Sequence, residues 1–379
     1  MQITFTDFDY LMSKLMIIGY IVEDATLNDE DKSIVIKVNK DKTAYLMGSN
    51  LTITHKIKLE NYTTDFAEET YIQTRYKSLI NFLTTYKTLS VTKVKSVALE
   101  PKGTKLSVIV TEQAKGNDSK EYVSRYVVDN TEVKSSLDKL LTMPEPEIKD
   151  TDKVNKTQLK WFTDNFMDGI STTTDMYGSI IFTDKECIVL NSAYSLIGKN
   201  NVEQLAGTRV SKKCLTFISK ALLRENEVYL TKTDKYIVIK TTDSITFLQY
   251  STKMPPYKIY LDMIDTTQSM KINSRYFKDI LKRFLVDAKE DMGIDIDCNE
   301  GKITVYNFKF KQNIDILASS NLAGYDNIRF RIMPDVMSKI ILNTEENMFI
   351  YYATKNDNDV IILSDEEQSW YSIIRVKLL

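Results

Sequence analysis

Two periodicities alternate along the chain. In SRYFKDILKRFLVDAKED, residues 274–291, apolar positions Phe277, Ile280, Leu281 and Phe284 recur at i, i+3, i+4 and i+7, the spacing of one helical face. Ser274 is placed to cap this helix. The same spacing predicts helices in FDYLMSKLMIIG (Phe8, Leu11, Met12, Leu15), in KSLINFLTTYKTLS (Leu79, Ile80, Leu83) and in TQLKWFTDNFMDGI (Leu159, Phe162, Phe166, Ile170). SKKCLTFISKALLREN and PDVMSKIILN complete the set, the latter with Pro334 in its first turn. Between the helices the apolar period drops to two. SIVIKV, TAYLMG, LTITHKIKL, KVKSVALE, KLSVIVTE and EYVSRYVV read as strands in the first third. GSIIFTD, ECIVLNS, EVYLTKT, YIVIKTT and SITFLQY follow in the second, and GIDIDC, KITVYNF, NIDILAS, NIRFRIM, MFIYYAT, VIILSD and WYSIIRVKLL in the third.

The order of elements repeats although the residues do not. Each third reads strand, helix, strands, helix, strands. The breaks fall at the polar stretch MPEPEIKDTDK (143–153) and at MPPY (254–257). The reading is an α+β chain of three repeated domains, 1–131, 132–253 and 254–379, each with antiparallel sheet and helices on one side.

Composition narrows the function classes. The formal net charge is -2, with 43% hydrophobic and 27% charged residues, which is ordinary for a folded, water-exposed protein. No apolar run approaches the ~20 residues of a membrane span. The N-terminus carries acidic residues early and is not expected to be a secretory signal. Cys187, Cys214 and Cys298 are odd in number and far apart, so neither a disulfide framework nor a metal site is expected, and the compartment is expected to be reducing. The single histidine, His55, lies in the alternating LTITHKIKLE and is expected on a strand surface. No phosphate-binding glycine loop, GxSxG or HExxH occurs. Asp295 and Asp297 in IDIDCNE share one side of a strand and read as a solvated face; NDND (356–359) reads as a turn. No catalytic residue, metal or cofactor is assigned.

The polar faces of the helices are biased towards bases. Arg275, Lys278 and Lys282 line the helix from 274; Lys213, Lys220 and Arg224 follow i, i+7, i+11 in the helix from 211. Lys77 stands on the second helix, with Lys14 and Lys160 on two others. A charged stripe opposite an apolar one is also what any surface helix presents, and the residues leave both readings open. If the stripe is functional, its chemistry suits sequence-independent contact with the duplex phosphate backbone, without base reading.

Three stretches, in order, resemble the bacterial DNA polymerase sliding clamp of the β type. SITFLQYSTKMPPYKIYLD is similar to the end of the clamp's second domain, with Met254, Pro255, Pro256 and Tyr257 at its Phe-Pro-Asp-Tyr motif. TDMYGSIIFTDKECIVLNSAYSLIG is similar to a clamp strand pair, with Asn191, Ser192, Ala193, Tyr194, Ser195 and Leu196 at the Thr-Asp-Gly-His-Arg-Leu loop, whose Gly-His-Arg is lost. WYSIIRVKLL resembles the closing Tyr-Val-Val-Met-Pro-Met-Arg-Leu, with Arg375 in place of the proline. The resemblance implies a homodimeric head-to-tail ring, helices lining the hole and sheets outside. It implies a DNA polymerase and a clamp loader as partners, no enzymatic activity, a cytoplasmic location, and, from the divergence, a phage-encoded member. It also implies a cleft for a partner's short apolar segment, formed by Met176, Asn191, Ala193, Tyr194, Leu196, Pro255, Ile259, Tyr260, Ile373, Ile374, Val376 and Leu378. The alternatives are a structural phage protein of repeated α+β units, a nucleic-acid enzyme, and a monomeric or trimeric processivity factor.

Overall fold

Every described strand ladder is antiparallel, and the ladders gather into four sheets. The structure is a computed structural model. It describes the chain apart from residues 24–26, 29–31, 51, 90, 116, 131–142, 172–175, 223–226, 288–290, 298–299, 321–327, 342–345, 356–357 and 377–379. Two compact units result, one of Met1–Lys156 with Phe217–Gln249, the other of Thr157–Thr216 with Tyr250–Leu379.

In the first unit a five-stranded sheet runs in the order Tyr62–Thr64, Ile3–Phe5, Thr92–Lys102, Lys105–Ala114, Asn117–Asp129. A seven-stranded sheet runs Tyr229–Lys232, Tyr236–Lys240, Ser244–Gln249, Ile53–Lys58, Ala44–Ser49, Ser33–Val38, Thr70–Arg75. Helices α1 (Phe8–Val22) and α2 (Tyr76–Thr84) share their core. Asp7 caps α1 by accepting from the Tyr10 amide at 2.9 Å, and Leu11, Met12, Leu15, Ile18 and Val22 are buried at helical spacing. Gly19 lets α1 approach the Tyr76 ring: a Cβ there would lie 2.3 Å from the Tyr76 hydroxyl.

In the second unit a nine-stranded sheet runs Thr208–Ser211, Ser179–Phe182, Glu186–Leu190, Tyr194–Lys199, Trp370–Val376, Asn358–Asp365, Asn347–Lys355, Ser269–Asn273, Ala318–Ser320. A four-stranded sheet runs Lys311–Asp315, Lys302–Tyr306, Met292–Asp297, Ile328–Ile332. Its helices are α3 (Lys156–Phe166), α4 (Lys212–Phe217), α5 (Lys258–Leu261), α6 (Ser274–Phe284) and α7 (Pro334–Ile340). Phe162 of α3 meets Phe182 edge-on at 5.3 Å. Among the described residues no helix is long and apolar enough to cross a membrane.

Both large sheets run across the repeat boundaries. Ser244–Gln249 pairs with Ile53–Lys58, and Tyr194–Lys199 pairs with Trp370–Val376. The strand-helix alternation expected from sequence is present throughout, with short strands at 62–64, 208–211 and 318–320 that carry too few alternations to show a period.

Several local expectations change. The cap of α6 is Asn273, which accepts from the Tyr276 amide at 2.8 Å; Ser274 is the first helical residue, buried, its hydroxyl donating to the Glu346 carbonyl at 3.2 Å. The helix from 211 ends at Phe217 and winds into a π turn, Ile218–Leu222, so Lys213 and Lys220 do not share one regular α-helical stripe. The 191–196 loop contracts to a turn, because Asn191 Oδ1 accepts the Ala193 amide at 3.2 Å and a strand begins at Tyr194.

His55 is the largest departure. It is 2% exposed, not on a surface, because its strand is covered by the neighbouring repeat. Its Nδ1 lies 2.8 Å from Thr246 Oγ1, and its ring meets Phe217 edge-on at 5.1 Å. Burial pushes its pKa down to about 3, with Asp243 and Lys14 acting as smaller, opposed influences. The folded state therefore holds His55 neutral, while the unfolded chain takes up a proton below about 6.5. Stability from this site is present above pH 6.5 and is lost as pH falls towards 3. Urea unfolding at pH 7 and pH 5 should show an acid loss of about 2 kcal/mol from this residue. His55→Gln should remove that part of the pH slope, and an unchanged slope would refute it.

Candidate functional site

The basic residues of the helices occupy different environments. Lys14 of α1 was expected as a surface cation. Its side chain is 14% exposed and forms an ion pair with Asp243, while its ammonium also lies 5.3 Å from the Tyr10 ring centre. The Tyr10 phenol is pushed up to about 12, mainly by burial. Lys14 thus joins α1 to the turn before Ser244–Gln249, and it leaves the set of cations available to a polyanion. The cause is the cross-repeat ladder, which brings Asp243 over α1.

The other described candidates remain open to water. Lys77 lies in the first turn of α2 and is exposed. Lys160 is exposed and pairs with Asp164 one turn on. Lys213 is exposed on α4; Lys220 is exposed with its ammonium 5.2 Å from the Tyr20 ring. On α6, Arg275 is exposed, Lys282 is exposed and lies 2.9 Å from Asp279, and Lys278 is half-buried. Burial, then Lys282, depresses the Lys278 ammonium. Exposed pairs at i, i+3 or i, i+4 are weak, roughly 0.3–0.5 kcal/mol, so a phosphate can displace the carboxylate. Arg283, passed over in the sequence because it flanks the apolar stripe, is exposed on the same helix and donates to Gln312 Oε1 at 3.1 Å. Arg224 lies outside the described residues.

The candidate cleft is divided by strand alternation. On Trp370–Val376, Tyr371, Ile373 and Arg375 point one way, and Trp370, Ser372, Ile374 and Val376 the other. Ile373 belongs to a cluster with Ile181, Ile188, Leu190 and Ile197. Met254, Tyr257, Tyr260 and Leu261, from the connector that contains α5, pack onto the same cluster. Arg375 lies over the Tyr260 ring at 5.8 Å. Pro255 is buried in the connector, and Ile259 is 46% exposed beside it.

Tyr194, Leu196 and Ile374 face the opposite side. The Tyr194 hydroxyl donates to the Gly169 carbonyl at 3.2 Å, and a Cβ on Gly169 would lie 2.5 Å from Leu196. Ser372 donates to the Ile340 carbonyl of α7, which marks this as the helix side. Tyr194, Leu196 and Ile374 are therefore core residues under the helices, and Val376 shares their side of its strand. The connector face instead gathers Ile373 and Tyr260 with Met254, Tyr257 and Tyr371, which the period-two alternation of WYSIIRV could have separated. Asn191 and Ala193 form the turn at one end of this sheet. Met176 begins a 3-10 turn, Met176–Gly178, and Leu378 lies outside the described residues.

Cys187 and Cys214 are buried; burial raises both thiols, Cys214 to about 11, so neither is a thiolate at neutral pH. Among the described residues no group of three or more His, Cys, Asp or Glu side chains is arranged to hold a metal ion.

The Lys14–Asp243 pair has a measurable weight. Lys14→Gln should destabilise the protein by about 1–3 kcal/mol, since it leaves Asp243 partly buried without its partner. Adding Asp243→Asn should recover part of that loss in a double-mutant cycle by urea unfolding; strictly additive losses would show that the pair is not coupled.

No family model matches the sequence, and no curated protein matches it. Solved structures do. The DNA polymerase sliding clamp from Bacillus subtilis superposes with TM-score 0.76 at 12% identity, covering 100% of this chain and 99% of that one. DNA polymerase III subunit beta from Borrelia burgdorferi gives 0.76 at 13%, covering 100% and 98%. The beta subunit of DNA polymerase from Streptococcus pyogenes gives 0.74 at 12%, covering 100% of both.

Proposed function

We propose that this chain, which has the fold of the bacterial β clamp along its whole length, is a sliding clamp and not an enzyme. Two copies join head to tail into a ring of six similar domains around duplex DNA, and the ring tethers a DNA polymerase after a clamp loader has placed it. The observation that carries this reading is the full-length likeness to solved clamps. The three domains are 1–131, 132–253 and 254–379, and the ring works in the cytoplasm.

The exposed cations support the DNA-facing role: Lys77, Lys160, Lys213, Lys220, Arg275 and Lys282, with Lys278 partly withdrawn. A topological link needs no tight contact, so a sparse set suffices in a chain of net charge -2. Two sheet edges with no strand partner among the described residues support ring closure. Asn117–Asp129 is an edge strand with exposed Tyr122, Val123 and Val127, and Lys311–Asp315 is an edge strand flanked by exposed Phe308, Phe310 and Leu317. Such unpaired edges invite pairing with a second chain. The connector face around Tyr260 and Ile373 is the proposed seat of the partner's apolar segment, with Ile259 at its margin.

Light scattering should give about twice the 43.8 kDa of one chain. Lys213→Glu with Lys220→Glu, and Arg275→Glu with Lys282→Glu, should keep that mass and lower processive synthesis on primed circular DNA at least several-fold. Full processivity in folded variants would remove these residues from the DNA-facing set.

The cleft is tested separately. Ile259→Ser with Tyr260→Ala should weaken binding of a short apolar peptide from the polymerase roughly tenfold or more, since two apolar contacts are lost. The mass should be unchanged, and the unfolding midpoint should fall but stay above the assay temperature, because Tyr260 also packs on the Ile373 cluster. Undiminished peptide binding would move the partner site elsewhere.

A further inference from the structure

On the connector side of the nine-stranded sheet, the cations differ in whether the chain supplies them with an acid. Lys355 shares this side with Phe349, Tyr351 and Ala353, and its ammonium lies 2.9 Å from Asp265 of the connector. The Asp265 carboxyl is held down to about 2, first by Thr267 and then by Lys355. Lys271, opposite Phe349 in the neighbouring strand, is ion-paired with Glu366. Arg375 lies opposite Val360 on the same side, is exposed, and has no ion pair among the described residues. Lys258 of α5 is also exposed and without an ion pair among the described residues, and the exposed acid beside it is Asp262, which follows α5.

Arg375 is nevertheless held. Its guanidinium carbon is 5.8 Å from the centre of the Tyr260 ring. A guanidinium laid on a ring is fixed by its flat face, and its N–H edge stays available. That edge matches the two oxygens of a carboxylate. The ground beside it is apolar: Tyr257, Tyr260 and Tyr371 are half-buried, and Ile259 is exposed. A wholly apolar segment laid here would cover Arg375 without a counter-charge, and covering an unpaired charge is costly. A segment with Asp or Glu beside its apolar residues turns the same contact into a charge-assisted pair. In the resemblance to the clamp a proline stands at this position, and proline carries neither charge nor donor, so the demand for an acid is this chain's own.

We infer that the segment docking on the connector face carries an acidic side chain beside its apolar residues, and that Arg375, held by Tyr260, selects it. The inference rests on the reading of that face as the partner's seat. The test selects short random displayed peptides on the whole protein, with the Ile259→Ser, Tyr260→Ala protein removing those that bind elsewhere. Each variant is checked by light scattering and circular dichroism, and Ile259→Ser alone takes over if the double variant misfolds. Replacing the acid of a selected peptide by its amide should weaken binding to the unchanged protein roughly tenfold, and to Arg375→Gln by less than about twofold. Arg375→Glu should instead prefer Lys at that position. Tyr260→Phe should keep the acid preference and Tyr260→Leu should reduce it, a change in selectivity that loss of packing alone would not produce. Selected peptides that share an acid, with the preference lost in Arg375→Gln, support the inference. Apolar peptides with no shared acid, or a preference that survives Arg375→Gln, overturn the role of Arg375 and leave the seat standing. Failure to find any peptide that distinguishes the unchanged protein from the Ile259 and Tyr260 variants overturns the seat and the role together.

Discussion

The antiparallel pairing of strands from different repeats is the constraint on which the rest depends. Ser244–Gln249 against Ile53–Lys58 turns two partial sheets into one of seven strands, and Tyr194–Lys199 against Trp370–Val376 makes one of nine. The middle third supplies a strand to each seam. With about 1 kcal/mol net per hydrogen bond, each five-pair ladder contributes on the order of a few kcal/mol. The larger effect is on what the seams bury. His55 becomes a neutral core residue, and Lys56 is drawn over the Phe247 ring at 5.4 Å with its ammonium depressed by burial.

The same seams decide which polar groups remain available. Lys14 faces Asp243 because the ladder carries that turn over α1, whereas Arg275 and Lys282 stand on a helix whose outer face meets water. In the second seam, Trp370–Val376 presents alternate residues to the helices and to the connector. Ser372 and Ile374 belong to the helix side, and Ile373, with Arg375 over Tyr260, belongs to the side on which the proposed partner segment would lie. A chain joined in this way keeps an exposed cationic helix face apart from an apolar connector face, the separation that the proposed tether would need.

The resemblance to clamps rests on order and spacing more than on residue identity, as identities of 12–13% over full length show. Packing explains this tolerance. A sheet needs apolar residues at alternate positions and a helix needs them at every third or fourth, and many sequences satisfy both. The proposed sliding contact would add few residue-specific demands, since phosphates accept any well-placed cation.

The sequence by itself determined the class, the threefold succession of elements and the helical faces of α1, α3 and α6, because period 3.6 and period 2 are local properties that each segment carries alone. It also determined which helices carry cations. What only the tertiary structure decided were the relations between distant segments. His55 lies in a strand that reads as half-exposed until Thr246 is laid beside it, 191 residues away. Lys14 reads as a surface cation until Asp243 arrives, and Phe82 and Tyr126 stack only when α2 settles on the strand edge. Periodicity says which side of an element is apolar. It does not say which other element will cover that side, because that choice is made by the whole set of contacts at once.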